Sequence, residues 1–463
     1  MAVAAAPFGD DSKSILDRML GLTGDVRNGE GTTALLMALN GFLILAAYYV
    51  IRPLRDAFLL PVKIDIAGTL LTGPEIRQYT GGILAALFLF VVPAYGALAS
   101  KVNRIKLINT VTLFFVANLV IFYLAANGGT PGAGLGITFY LWMGIFNLMV
   151  VAQFWALAND IYTPEEGKRL FAIVGFGASA GAIFGSIVIR GLIRPLGLFL
   201  PMLISGAILL LCLVLTNIIH VRERDKARSV AASRAAEKPL GTDGGFQLVF
   251  RQKYLLLIGV LTLIAQYVNT NGNYILTAVL NRAAEAAVAD GTAGGLNAGQ
   301  FIGAFQADVD LYQNILVVLI QLFLVARIFK WVGVGPSLFF LPMVALFSYG
   351  LFVAAPVLAL IRIAKITENA TDYSLQNTAR RALFLPTSRE AKYKALQAVE
   401  TFFWRSGDMF SAVTTLVIVQ VLALSERQFA GLNLAMVAIW MIVAFALAKE
   451  NKKLMASQPA SAE

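Results

Sequence analysis

The stretch Leu360-Ile-Arg362-Ile-Ala-Lys365-Ile-Thr-Glu368-Asn369-Ala-Thr-Asp372-Tyr-Ser-Leu-Gln-Asn-Thr-Ala-Arg380-Arg381-Ala-Leu-Phe384 has the length of a membrane helix and carries charge where a membrane helix should have none. At about 100° per residue, Arg362, Lys365, Glu368, Asn369 and Asp372 fall within roughly a 120° arc of one face. The other face carries Leu360, Ile361, Ile363, Ala364, Ile366 and Ala370. A charge at bilayer depth costs about 3 kcal/mol or more unless it meets water, a partner or a ligand, so such a stripe marks a functional site. The stripe is expected to form one wall of a water-filled central cavity. The alternative is a helix that leaves the bilayer early, with its charges in a loop.

Composition supports the membrane reading. The chain has 463 residues, 58% of them hydrophobic and only 14% charged, with a mean hydropathy of +0.74. Soluble domains hold about 25% charged residues, so an integral membrane protein follows. One cysteine, Cys212, excludes an internal disulfide framework and a Cys-built metal site, and a single His220 argues against a His-built centre. No cofactor is expected. The net charge of +10 sits mostly in alternate inter-helix loops, where it encodes topology rather than nucleic-acid binding.

Apolar segments long enough to cross about 30 Å of hydrocarbon occur twelve times, near 33–60, 78–99, 105–125, 135–160, 168–190, 198–220, 253–280, 306–328, 333–354, 356–384, 398–423 and 428–448. The implied organisation is an N-terminal segment over 1–32, a six-helix half over 33–220, a linker over 221–252, a second six-helix half over 253–448 and a tail over 449–463. Within 1–32, which has no apolar core of signal-peptide length, Asp11 or Ser12 is placed to cap a short amphipathic helix carrying Ile15, Leu16, Met19, Leu20 and Leu22. Of the 37 Lys and Arg residues, 26 fall in the termini and even-numbered loops, against 6 in the odd-numbered loops. That asymmetry predicts cytoplasmic termini and a cytoplasmic linker. The turn Ile161-Tyr-Thr-Pro164 after span four has a counterpart in Leu383-Phe-Leu-Pro386 after span ten, as in parallel repeats related by an axis along the membrane normal. The loop Gly96-Ala-Leu-Ala-Ser-Lys101-Val-Asn-Arg104-Ile-Lys106 resembles the basic loop motif of the major facilitator superfamily, with Ser100 in place of its acid and Asn103 in place of its glycine.

Further polar groups lie inside the spans. Span one ends with Tyr48, Arg52, Arg55 and Asp56 on one face, and Pro53 is expected to kink it. An Arg52/Asp56 pair that stiffens the helix end is the simpler use of these groups. Span four ends with Trp155, Asn159 and Asp160, where packing and capping are the alternatives to a functional role. The glycines of span five, Gly175, Gly177, Gly181 and Gly185, lack the strand context of a nucleotide-binding loop and suit close helix packing. Span seven offers Gln266, Asn269, Thr270, Asn271 and Asn273, suited to a base or sugar, to gating, or to an unwound helix end. Asp308 and Asp310 fall at the outer mouth of span eight, and span eleven carries Glu400, Trp404, Arg405 and Asp408, the last two placed for a local pair.

The groups Arg52-Pro-Leu-Arg55-Asp56, Phe154-Trp-Ala-Leu-Ala-Asn159-Asp160 with Glu165-Glu166-Gly-Lys168-Arg169-Leu-Phe171, and Ala382-Leu-Phe-Leu-Pro-Thr387 resemble the ATP/ADP translocase family of plastids and obligate intracellular bacteria. Arg55 stands where that family has a functional lysine, Met143 to Asn147 lack its acidic residue, and Asp408 falls where it commonly shows a base. The resemblance implies an all-α, polytopic, major-facilitator-like carrier of the bacterial inner membrane, monomeric, with about 12 transmembrane helices in two halves. It implies alternating-access exchange of a nucleotide or related phosphorylated anion, without enzymatic activity. Tyr48, Arg52, Arg55, Asn269, Arg362, Lys365 and Arg405 would bind substrate, since guanidinium forks match phosphate oxygens. Asp56, Asn159, Asp160, Glu368, Asp372 and Asp408 would serve coupling or gating. A proton-coupled carrier of another organic anion, and a non-transporting receptor or assembly factor, are the competing expectations.

Overall fold

The computed structural model describes residues 26–27, 29–66, 68–128, 132–224, 244–388 and 390–457. The predicted amphipathic helix within 1–32 and most of the linker lie outside the described residues. Helices dominate: α1 (Gly31–Leu59), α2 (Gly73–Lys101), α3 (Arg104–Asn127), α4 (Ala133–Ile161), α5 (Pro164–Leu196) and α6 (Leu200–Arg222) form the first half. The second half holds short α7 (Gly245–Arg251), then α8 (Lys253–Ala289), α9 (Ala298–Phe323), short α10 (Val325–Val332), α11 (Val334–Ala354), α12 (358–382), α13 (391–421) and α14 (Glu426–Ser457). Among the described residues nine helices are long and apolar enough to cross a membrane, and α9 with α10 forms a further, bent candidate. The remaining two of the twelve expected spans, α12 and α13, are the charged ones. Both alternate α-helical turns with wider i→i+5 turns, at Asp372–Gln376, Ala391–Ala395, Val399–Phe403 and Val417–Val421. Such turns are frequent at functional sites.

Two departures from the sequence reading change the geometry. Within the all-α fold, α1 and α2 are joined by a short antiparallel hairpin that the spans do not anticipate, β1 (Lys63–Ile66) and β2 (Thr69–Thr72), whose turn uses Gly68 at φ +83°. The 281–305 spacer is largely helical, because α8 runs to Ala289 and α9 begins at Ala298. Helix α8 is also continuous through Asn269 to Asn273, so no unwound end forms there.

Each half has its own apolar core. One is built around Phe115, Phe139, Phe146 and Met37, the other around Trp440, Phe429, Tyr349 and Phe352. Helix α5 lies directly on α1: a Cβ on Gly177, Gly181 or Gly185 would run into the backbone carbonyl of Ala38, Phe42 or Ala46. These three glycines therefore serve close packing, whereas Gly175, also expected to, faces open space. At the end of the bundle bearing the hairpin, hereafter the distal end, Leu60, Leu280, Ala284 and Ile302 bury one another across the seam between halves. The Lys63–Glu285 pair (3.0 Å) and the bonds from Gln78 to Ser411 (2.5 Å) and from Gln420 to Glu75 (2.5 Å) cross the same seam. The two halves are thus closed together distally.

Candidate functional site

Midway along the bundle, a polar cavity of about 330 Å³ opens between the halves. From α1 it receives Tyr48, Arg52, Arg55 and Asp56, with Pro53 beside them in a helix that remains continuous. Helix α2 adds Arg77 and Gln78, α4 adds Tyr140 and Asn147, and α8 adds Gln266, Asn269, Thr270 and Asn273. Helix α9 contributes Asp310, α12 contributes Asn369 and Tyr373, and α13 contributes Trp404, Arg405 and Asp408. Local sequence fixes several of these placements. Thr72 and Glu75 form a capping box, with Pro74 in the first turn, so α2 starts at Gly73 and Arg77 lies one turn inside the helix.

The cavity holds four arginines and three aspartates in its wall, a net charge of +1. The expected Arg52/Asp56 pair is not made. Arg52 instead reaches across the halves to Asp310 at 2.8 Å, and Asp56 accepts from Arg77 Nε at 2.6 Å. Asp310 sits in this position because α9 begins eight residues before the expected span boundary, which carries the carboxylate from the mouth into the interior. Arg55 shares Asp56 at a looser 3.5 Å and lies over the Tyr140 ring at 4.8 Å. On the opposite wall, Asp408 Oδ1 accepts from Gln266 (2.8 Å) and Thr270 (2.7 Å), leaving Arg405 at 3.4 Å from Oδ2 and 4.4 Å over the Phe88 ring. Arg55 and Arg405, one from each half, are therefore the guanidiniums least committed to a carboxylate. A planar fork with free N–H groups facing a wet cavity suits a phosphate or carboxylate group.

The charged stripe of α12 divides. Asn369 lines the cavity, but Lys365 packs behind it, fully buried, with Nζ donating to Glu368 (3.0 Å) and to Asn269 Oδ1 (2.8 Å). Asn269 thus touches both the cavity and the buried pair. Asp372 is buried beyond them, without an ion pair among the described residues. Arg362 turns outward, over the rings of Phe305 (5.1 Å) and Tyr312 (5.6 Å) and 3.3 Å from Asp308. The stripe spans too wide an arc for one wall, so the wall takes its edge and neighbouring helices take the rest. Asn159 is exposed, and Asp160 pairs with Arg104 (2.8 Å) at the far end of α4, away from the cavity. Three groups expected in loops or at a helix mouth are interior: Arg77, Asp310, and Arg380, which is buried over the Trp404 ring at 4.5 Å. The Thr-Gly-Pro-Glu cap signalled the first. The shared face of Gln306, Asp310 and Gln313 signalled the second.

No family model matches the chain, and no curated protein matches it in sequence. Solved structures do match. The nucleoside transporter NupG superposes with a TM-score of 0.61 at 12% identity, covering 92% of this chain and 100% of that one. A bacterial homolog of the human lysosomal transporter Spinster, in an inward-facing and unoccupied conformation, matches at 0.56 and 12% identity over 93% and 98%. The peptide transporter POT in complex with sulfate matches at 0.57 and 11% identity over 95% and 99%. At these identities the likeness is one of fold. The chain thus shares the multi-pass helical fold of these transporters, and its polar cavity lies between the two halves.

Proposed function

We propose that the chain exchanges a nucleotide, or a related phosphorylated anion, across the bacterial inner membrane, with its termini cytoplasmic and its distal end outward. One observation carries this reading: four arginines from α1, α2 and α13, drawn from both halves, surround a single cavity and outnumber its aspartates. Its volume of about 330 Å³ falls within the range of small-molecule pockets, roughly 300–1,000 Å³. The motif resemblance to the ATP/ADP translocases supports the nucleotide assignment. Arg55 and Arg405 hold phosphate oxygens, Arg77 takes the closer hold on Asp56 and so loosens its grip on Arg55, and Tyr48, Tyr140, Trp404 and the amides of Asn147 and Asn269 receive the base and sugar.

Exchange follows from the ion pair between the halves. Opening the distal end separates Arg52 from Asp310, and in the empty cavity that leaves a guanidinium and a carboxylate uncompensated. A bound polyanion offers Arg52 a substitute partner, so the loaded carrier reorients and the empty one does not. The test is uptake of labelled ATP by proteoliposomes loaded with ADP. Counterflow is expected, and its absence with every nucleotide tried removes the nucleotide assignment.

A second reading, a proton-coupled carrier of another organic anion, draws on Asp372. This carboxylate is buried without an ion pair among the described residues, while Arg380 on the same helix is also buried without one. Uptake that a proton ionophore abolishes, that ignores internal nucleotide, and that Asp372→Asn uncouples would favour it.

A further inference from the structure

On the outer surface of the second half, away from the cavity, an apolar cleft of about 840 Å³ runs between α9 and α12. Arg362 is the one charged residue in its wall. The cleft begins near Phe305 and Leu358 at the distal end and continues past Ile366 to Leu319. Fourteen helical residues separate Phe305 from Leu319, a rise of roughly 21 Å. Half the hydrocarbon thickness of a bilayer is about 15 Å. The cleft is therefore long enough to hold an acyl chain of one leaflet, with its cationic groups toward the distal end.

That end is built from three side chains. Asp308 lies 3.3 Å from Arg362 and 2.6 Å from Arg190 of α5, so two guanidiniums share one carboxylate and a positive charge is left over. All three are partly exposed: Arg190 by 50%, Arg362 by 26% and Asp308 by 24%. Arg362 is also held in place by the Phe305 and Tyr312 rings beneath it. A phosphodiester fits this arrangement, since it supplies the missing negative charge and two acceptor oxygens. A zwitterionic headgroup brings an ammonium that finds its natural partner, Asp308, already shared.

We infer that the cleft is a binding site for an anionic phospholipid of the distal leaflet, its phosphate on Arg362 and Arg190 and one acyl chain along α9 and α12. The site joins the two halves, because Arg190 belongs to the first and the other groups to the second. A lipid there reinforces the distal seam.

The test is native mass spectrometry of the detergent-purified protein titrated with phosphatidylglycerol or phosphatidylcholine, alongside thermal shift. Phosphatidylglycerol should be retained at least fivefold better and should raise the melting temperature, whereas inorganic phosphate should not. Arg362→Gln should remove most of that preference. Asp308→Asn, which frees both guanidiniums, should strengthen retention, an outcome that a merely structural Asp308 would not give. Equal retention of both lipids, the same stabilisation by inorganic phosphate, a preference unchanged in both variants, or a dimer that buries the cleft would each overturn the inference.

Discussion

Replacing Asp310 with Asn probes the coupling between the halves. The native carboxylate lies 2.8 Å from Arg52, with side-chain exposures of 6% and 18%. At that separation and an effective dielectric near 20, the gross attraction is about 6 kcal/mol. Breaking a buried pair by removing one partner costs roughly 3–5 kcal/mol, because the remaining charge is left uncompensated. Arg52 also lies 5.2 Å over the Tyr49 ring, which recovers part of that; a net loss of about 3 kcal/mol for the distally closed state is the working figure. It corresponds to a shift of about 100-fold toward the distally open state. The assay is labelling by a membrane-impermeant maleimide at a Ser411→Cys reporter in the Cys212→Ser background. Ser411 is fully buried in the distal seam, and Cys212 is the only native cysteine. Asp310→Asn should raise the labelling rate by one to two orders of magnitude and allow efflux of substrate without a counter-substrate. A charge swap, Arg52→Asp with Asp310→Arg, should restore protection. Unchanged labelling together with strict exchange in Asp310→Asn would refute the reasoning.

The other predictions concern packing, buried charge and the ligand. Gly181→Ala places a Cβ against the Phe42 carbonyl, forcing α1 and α5 apart; a loss of about 1–3 kcal/mol is expected as a lowered melting temperature in detergent. Gly191→Ala, with nothing within 4 Å, should be neutral in the same assay. Lys365→Met strands the buried Glu368 and should cost roughly 3–5 kcal/mol, most of it recovered in Lys365→Met/Glu368→Leu. Arg55→Gln and Arg405→Gln should each fold normally yet weaken ATP binding about 10- to 100-fold, the worth of a charged hydrogen bond at about 1.5–3 kcal/mol.

Much of this architecture is legible in the sequence, for a physical reason. A bilayer demands long apolar runs, so the twelve segments stand out, and polar residues within them stand out further. Tyr48, Arg52, Arg55, Asp56, Asn269, Arg405 and Asp408 were found that way and all line one cavity. What the pattern does not encode is which neighbour a helix face meets. Arg362, Lys365 and Glu368 share an arc, yet one lines the cleft on the outer surface and two bury each other. Boundary errors matter equally: placing the start of α9 eight residues late put Asp310 in water, and a hairpin of two four-residue strands was too short to register. Pairing across the halves, such as Arg52 with Asp310, joins residues 258 positions apart, and no local periodicity reports it.

The central claim is that the cavity awaits a multiply charged anion. Equilibrium binding of adenosine, AMP, ADP and ATP to the purified protein, at low and at high salt, tests it most directly. The account predicts affinity that climbs with phosphate number, falls with salt, and flattens in the Arg55→Gln/Arg405→Gln double variant. Adenosine binding as tightly as ATP, with no salt dependence, would contradict it.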